Sequence, residues 1–349
     1  MADRVASVEL RVSLSQYVAG LKRAEQSTLS LRDKVRTMSA DTERAFNTTG
    51  VAAAAFGAAG ALALKAVASA AIGFESAFAG VIKTVDGTEK QLADLSLGLR
   101  RMATQDVPLA VDGLADIAAS AGQLGIQRDN ILGFTKVIAD LSVATNLAGQ
   151  QGATDLARLA NITGMAQTEF DRLGSTIVDL GNNLATTEAE IVSMGLRLAG
   201  AGTQIGLTEA QILGFAGALS SVGIEAEAGG TAFSRIIIEM ADQVASTGPL
   251  LDDFAAVAGM SARDFATAFE QDAAGAIVTF VKGLGTAGDA GDNLFGILED
   301  LGLSDIRVRD ALLRMSSSSD LLTSSLDLGT AAWQVPRPHP WSTRRLDCP

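Results

Sequence analysis

Gln204-Ile-Gly-Leu-Thr-Glu-Ala-Gln-Ile-Leu-Gly-Phe215 encodes a joint between two helices in twelve residues. Gly206 can take the positive φ at which helices often end. Thr208, with Gln211 three residues later, has the spacing of a reciprocal cap: each side chain satisfies a free backbone N–H at a helix start. The same text occurs 81 positions earlier as Gln123-Leu-Gly-Ile-Gln-Arg-Asp-Asn-Ile-Leu-Gly-Phe134, with six of twelve residues identical and two Leu/Ile exchanges. The echo predicts a duplicated helix-turn-helix unit. Two copies fall short of the three or more that stack into a solenoid.

Working outward, the same start signal recurs at Thr88…Gln91, Thr168…Asp171, Thr187…Glu190 and Ser261…Asp264. Apolar residues then follow at helical spacing, as in Leu92, Leu95, Leu99 and Met102. Gly122, Gly125, Gly202 and Gly259 are assigned to joints, and Gly283–Asn293 and Ser316–Ser319 to loops. Residues 86–334 therefore read as a multi-helix core, and the fold class is all-α.

The front of the chain has a different pattern. Residues 5–12 alternate, with Val8, Leu10 and Val12 on one side and Glu9 and Arg11 on the other, which predicts a short strand. From there Leu14, Tyr17, Leu21, Ala24, Thr28, Leu31, Val35, Met38, Thr42 and Ala45 step by three and four. This heptad seam predicts an amphipathic helix ~48 Å long over residues 14–45. It fits a coiled coil between copies, with Leu14, Tyr17, Leu21, Ala24, Leu31, Val35 and Met38 as the self-association seam. It also fits a helix packed within its own chain. Residues 1–50 form this first region.

Residues 51–85 form a second. Within it, residues 51–74 hold only Lys65 and Ser69 as polar side chains, and the length suffices for a bilayer. The content is mainly Ala and Gly, which gain little on leaving water. Gly57 and Gly60 also permit close helix–helix approach. A buried or self-associating helix and a membrane-inserted one both remain open. Residues 335–349 hold four of the six Pro, the only His and the only Cys, and are expected to be a disordered tail. No secretory signal is expected, because Met1–Leu21 lacks an apolar run.

Composition removes several functions. One Cys and one His rule out a disulfide framework and clustered metal ligands. The net charge is −13, with 33 acidic and 16 basic side chains in residues 51–334, against 6 and 8 in residues 1–50. An acidic body with few aromatics argues against nucleic acid as the main partner. Gly200, Gly202 and Gly206 lack the spacing of a phosphate loop and read as a helix C-terminal cluster. Asp252/Asp253, Glu299/Asp300 and Glu225/Glu227 read as solvated faces or first turns rather than acid/base pairs. No catalytic residue, cofactor or metal is expected.

The block Leu159–Ile191, containing Asp171-Arg-Leu-Gly174 and Thr186-Thr-Glu188, closely resembles the core of phage tail tape-measure proteins. Gly195–Gly202, Gly229-Gly-Thr-Ala-Phe-Ser-Arg235 and Gly302–Leu313 resemble its continuation, and the likeness runs from about residue 70 to 330. The resemblance implies a non-enzymatic role. Such proteins lie as several helical copies in the tail lumen, template polymerisation of the tail-tube protein, and so set tail length. It further implies assembly in the host cytoplasm, coating by tail assembly chaperones, and contact with a host membrane during genome delivery. Family members usually continue for hundreds of residues past this core, so a prophage fragment or an interrupted reading frame is the expectation here.

Overall fold

A computed structural model describes residues 73–147 and 149–335. Among these residues every regular element is helical: α1 (residues 73–84), α2 (Glu89–Gln105), α3 (Val111–Gln123), α4 (Arg128–Ala144), α5 (Gly149–Thr163), α6 (Phe170–Asn183), α7 (Glu188–Gln204) and α8 (Glu209–Ser221) come first. A π-turn, Ala226–Gly230, leads into α9 (Thr231–Ser246). Then follow α10 (Leu251–Val257), α11 (Ala262–Gln271), α12 (Ala273–Asp289), α13 (Leu294–Asp300), α14 (Ile306–Ser316) and α15 (Ser319–Gln334). The all-α class holds. The strand and heptad helix expected in residues 1–50, most of the 51–74 segment and the Pro-rich tail lie outside the described residues.

The echoed text folds as two equivalent corners. α3 stops at Gln123 and α7 at Gln204, the first residue of each copy. Leu124 and Ile205 sit near φ −90°, ψ 5° and φ −100°, ψ 10°. Gly125 and Gly206 then swing to φ 86° and 79°, a region that costs other residues about 1–2 kcal/mol. The Ile126 N–H reaches the Ala121 carbonyl at 3.0 Å, and Leu207 reaches Gly202 at 2.9 Å, closing free carbonyls at each helix end. Ile126 and Leu207 are buried, and α4 and α8 begin two residues later. The same device recurs at Gly164, Gly223, Gly259, Gly291 and Gly302, each with the next N–H bonded five residues back. In six of these seven stops an apolar residue follows the Gly.

Four expected caps form as read: Thr88, Thr187 and Thr208 make complete capping boxes, and the Ser261 hydroxyl accepts from the Asp264 N–H. Thr168 does not cap. Residues 166–169 form a turn, and α6 starts at Phe170 without a side-chain cap. Gly122, Gly200 and Gly202 lie inside helices rather than in joints. A Cβ at Gly122 would come within 2.8 Å of Thr84 Oγ1, so the missing side chain lets α1 lie against α3. Similarly, Gly283–Asp289 belongs to α12 instead of a loop. Side chains at Gly283 and Gly285 would strike the carbonyls of Val257 and Ser316, where α10 and α14 cross it. Ser316 and Ser319 are themselves helical, with a two-residue turn between.

Helix α8 is the centre of the packing. Ile212 through Leu219 are buried without interruption, as expected for a helix covered on all sides. α7, α6 and α15 pack around it, with the π-turn and α14 closing its C-terminal end. Gly214 and Gly329 let the backbones of α8 and α15 nearly touch. A Cβ at Gly214 would stand 3.0 Å from Leu326 Cα, and one at Gly329 2.9 Å from the Ala210 carbonyl oxygen. At the other end of the described chain, Phe74 is buried. It stacks on Phe78 at 5.5 Å and lies under the Arg100 guanidinium at 4.1 Å.

Candidate functional site

The four stretches that carry the resemblance meet around the π-turn. Gly229 and Gly230 make this possible. A side chain at Gly229 would overlap Ile224, and a Cβ at Gly230 would come within 2.7 Å of Arg197 Cβ and 3.1 Å of Met194 Sδ. Without side chains there, the turn seats directly on α7. Ser234 fixes the next turn by donating its hydroxyl to the Arg197 carbonyl at 3.0 Å. α14 approaches from the other side: Arg314 Nη1 points at the carbonyls of Val222 (3.4 Å) and Gly223 (3.5 Å), while Nε donates to Asp310 at 3.0 Å. A guanidinium just past the C-terminus of α8 also complements that helix's dipole.

Two shallow depressions flank the ridge Gly223–Glu225. One, about 440 Å³, runs between the π-turn and Ile306, Arg307 and Asp310 of α14. The other, about 380 Å³, lies against Glu190 and Ser193 of α7. Ile306 is 81% exposed, the most exposed large apolar side chain among the described residues. Glu190 is held ionised: the Thr187 N–H, the Thr187 hydroxyl and the Thr186 hydroxyl hydrogen-bond its carboxylate and hold it below the ordinary 4.5. Mixed charge, openness and one protruding isoleucine suit contact with a protein surface.

The acidic pairs noted in the sequence are dispersed. Asp252 and Asp253 sit in the first turn of α10. Glu299 pairs with Arg309 at 3.7 Å; Glu225 immediately precedes the π-turn and Glu227 lies within it. Among the described residues no three His, Cys, Asp or Glu side chains form a metal-ligand group, and no helix is long and apolar enough to cross a membrane. The expected seam residues Leu14, Tyr17, Leu21, Ala24, Leu31, Val35 and Met38 lie outside the described residues. Sequence reasoning missed the π-turn, because Ala-Glu-Ala-Gly-Gly carries no period. It also missed the caps at Asn293 and Asp305, whose partners lack the acidic or amide third residue that marks a full box.

Comparison with known proteins bears on this arrangement. The family model described as phage-related minor tail protein matches residues 95–301, from within α2 to the end of α13 and more than half of the chain. Neither curated proteins nor solved structures gave a match. The matched span contains both corners, α8 and the π-turn, so the family is read from the packed body itself. This chain belongs to the phage-related minor tail protein family.

Proposed function

We propose that this protein is a tape-measure component of the phage tail: a structural, non-enzymatic chain that self-associates through residues 14–45 and templates polymerisation of the tail-tube protein. The observation that carries this reading is family membership combined with an all-α body that the heptad run precedes. In this reading the chain is made in the host cytoplasm, held there by tail assembly chaperones, and ends in the lumen of the virion tail. The π-turn ridge, with Ile306 beside it, is the surface offered to those protein partners. Sedimentation velocity of the full chain against Leu21→Asp/Leu31→Asp tests the mechanism. Loss of the oligomer supports the seam, and an unchanged mass removes it.

A second reading rests on the apolar run 51–74, which would enter a host membrane during genome delivery. The packing of Phe74 against Phe78 and Arg100 shows that the last residues of that run serve the folded body. Flotation with liposomes, compared with Leu62→Lys/Leu64→Lys, decides this reading. Absence of binding by the parent chain removes it.

A further inference from the structure

The chain contains two Asp-Gly steps, Asp86-Gly87 and Asp112-Gly113, and they stand in opposite settings. Asp86 and Gly87 are exposed, lie outside any helix between α1 and α2, and make no hydrogen bond or ion pair among the described residues. Asp112 and Gly113 lie in the first turn of α3. There the Gly113 N–H donates to Asp112 Oδ1 at 2.9 Å, and helical dihedrals hold the backbone in one well. Glycine leaves the following amide unhindered and the backbone free to rotate.

We propose that Asp86-Gly87 is a spontaneous modification site that converts to isoaspartate, and that α3 protects Asp112-Gly113 from the same reaction. The Gly87 amide nitrogen attacks Cγ of the protonated Asp86 carboxyl. The new C–N bond closes a five-membered succinimide, the amide proton leaves, and the carboxyl OH departs as water. Water then adds to either ring carbonyl. Opening at one restores aspartate; opening at the other leaves isoaspartate, with the main chain routed through the side-chain carbon. The net reaction is an isomerisation without gain or loss of atoms or electrons.

The position gives the change a consequence. Asp86 follows Thr84, whose hydroxyl donates to the Ala119 carbonyl of α3 at 3.0 Å, and it precedes the Thr88 capping box of α2. It also borders the first corner, in a depression shared with Gly125, Ile126 and Gln127. One extra main-chain carbon there shifts the start of α2 against that corner. Isoaspartate exposes a free α-type carboxylate, the group that an isoaspartyl carboxyl methyltransferase esterifies with S-adenosylmethionine.

The full chain is incubated for weeks at neutral pH, folded and in denaturant, and isoaspartate is quantified at both sites by peptide mapping with electron-transfer fragmentation. In the folded chain the expected rate at position 86 exceeds that at 112 by about tenfold. In denaturant the two rates converge, and Asp86→Glu abolishes the product at 86. Equal rates in the folded chain overturn the proposal. So does a folded chain that stays unmodified at 86 while both sites convert in denaturant.

Discussion

The α3–α4 corner and the α7–α8 corner follow the same backbone path with different supports. In the second, Thr208 and Gln211 cap α8 from within the copied text. In the first, Gln127 stands in the cap position and makes no side-chain cap. Gln167, forty residues on, supplies it instead: Oε1 accepts from the Gln127 N–H at 2.7 Å, and Nε2 donates to the Gly125 carbonyl at 3.1 Å. The outer faces differ too. Gly133 is exposed with open space where a Cβ would go, whereas Gly214 is pressed against α15. One local code serves both a rim helix and a central one. Where each copy sits in the packing decides what its remaining residues must do.

The largest expected effect tests whether both corners are anchored in the core. Phe134 meets Phe170 edge-on at 4.6 Å, and Phe215 meets Phe233 at 5.6 Å. Phe134→Ala and Phe215→Ala should each cost about 3–5 kcal/mol in denaturant unfolding. The loss should be greater at 215, where helices cover every side. A greater loss at 134 would break the distinction between rim and centre.

The glycines one residue earlier in the copied text should respond with opposite signs. Gly214→Ala forces α15 away and should destabilise by about 1–3 kcal/mol. Gly133→Ala meets nothing and should stabilise by roughly 0.5–1 kcal/mol through helix propensity. Equal shifts in the unfolding midpoint would mean that the open face at Gly133 is covered in solution. The caps sharpen the comparison further. Thr208→Ala should cost ~1 kcal/mol. Gln167→Ala should cost about as much, but should also raise hydrogen exchange at the Gln127 amide and through residues 166–169.

The smallest effect concerns the helix that enters each corner. α7 begins with the Thr187/Glu190 box, while Ala110, in the cap position before α3, offers no side-chain cap. The folded chain lowers the Glu190 pKa below 4.5, so the ionised form is favoured on folding. That contribution is present above the unfolded value and is lost as pH falls through the lower folded one. Glu190→Gln keeps a box-forming side chain without the titration. Its unfolding midpoint should therefore fall less than the parent's between pH 6 and 3. Parallel curves would show that Glu190 titrates alike in the folded and unfolded chain.

Local signals were readable because their physics is local. Thr88, Thr187, Thr208 and Ser261 cap as their spacing predicts, and Gly125, Gly206 and Gly259 stop helices. The errors arose where a distant segment decides. Gly122, Gly283 and Gly285 look like the same punctuation, yet each is small because another element passes close by. Thr168 has a good cap spacing, but its turn presents Gln167 to the first corner, and α6 starts a residue beyond the expected place. The π-turn ridge was illegible for the same reason. Residues near 190, 197, 229 and 310 meet only through packing.

The position of α15 has a consequence for synthesis. It is the last described helix, and it fills the seat formed by α6 and α8. Ribosomes add about 5–20 residues per second, so roughly 6–23 s separate the emergence of Ser221 from that of Gln334. Through that interval the sides of α6 and α8 that α15 covers are without that cover. The body must therefore pass through an open state on every round of translation. An interruption anywhere between residues 222 and 318 would leave a chain with complete corners and an exposed seam.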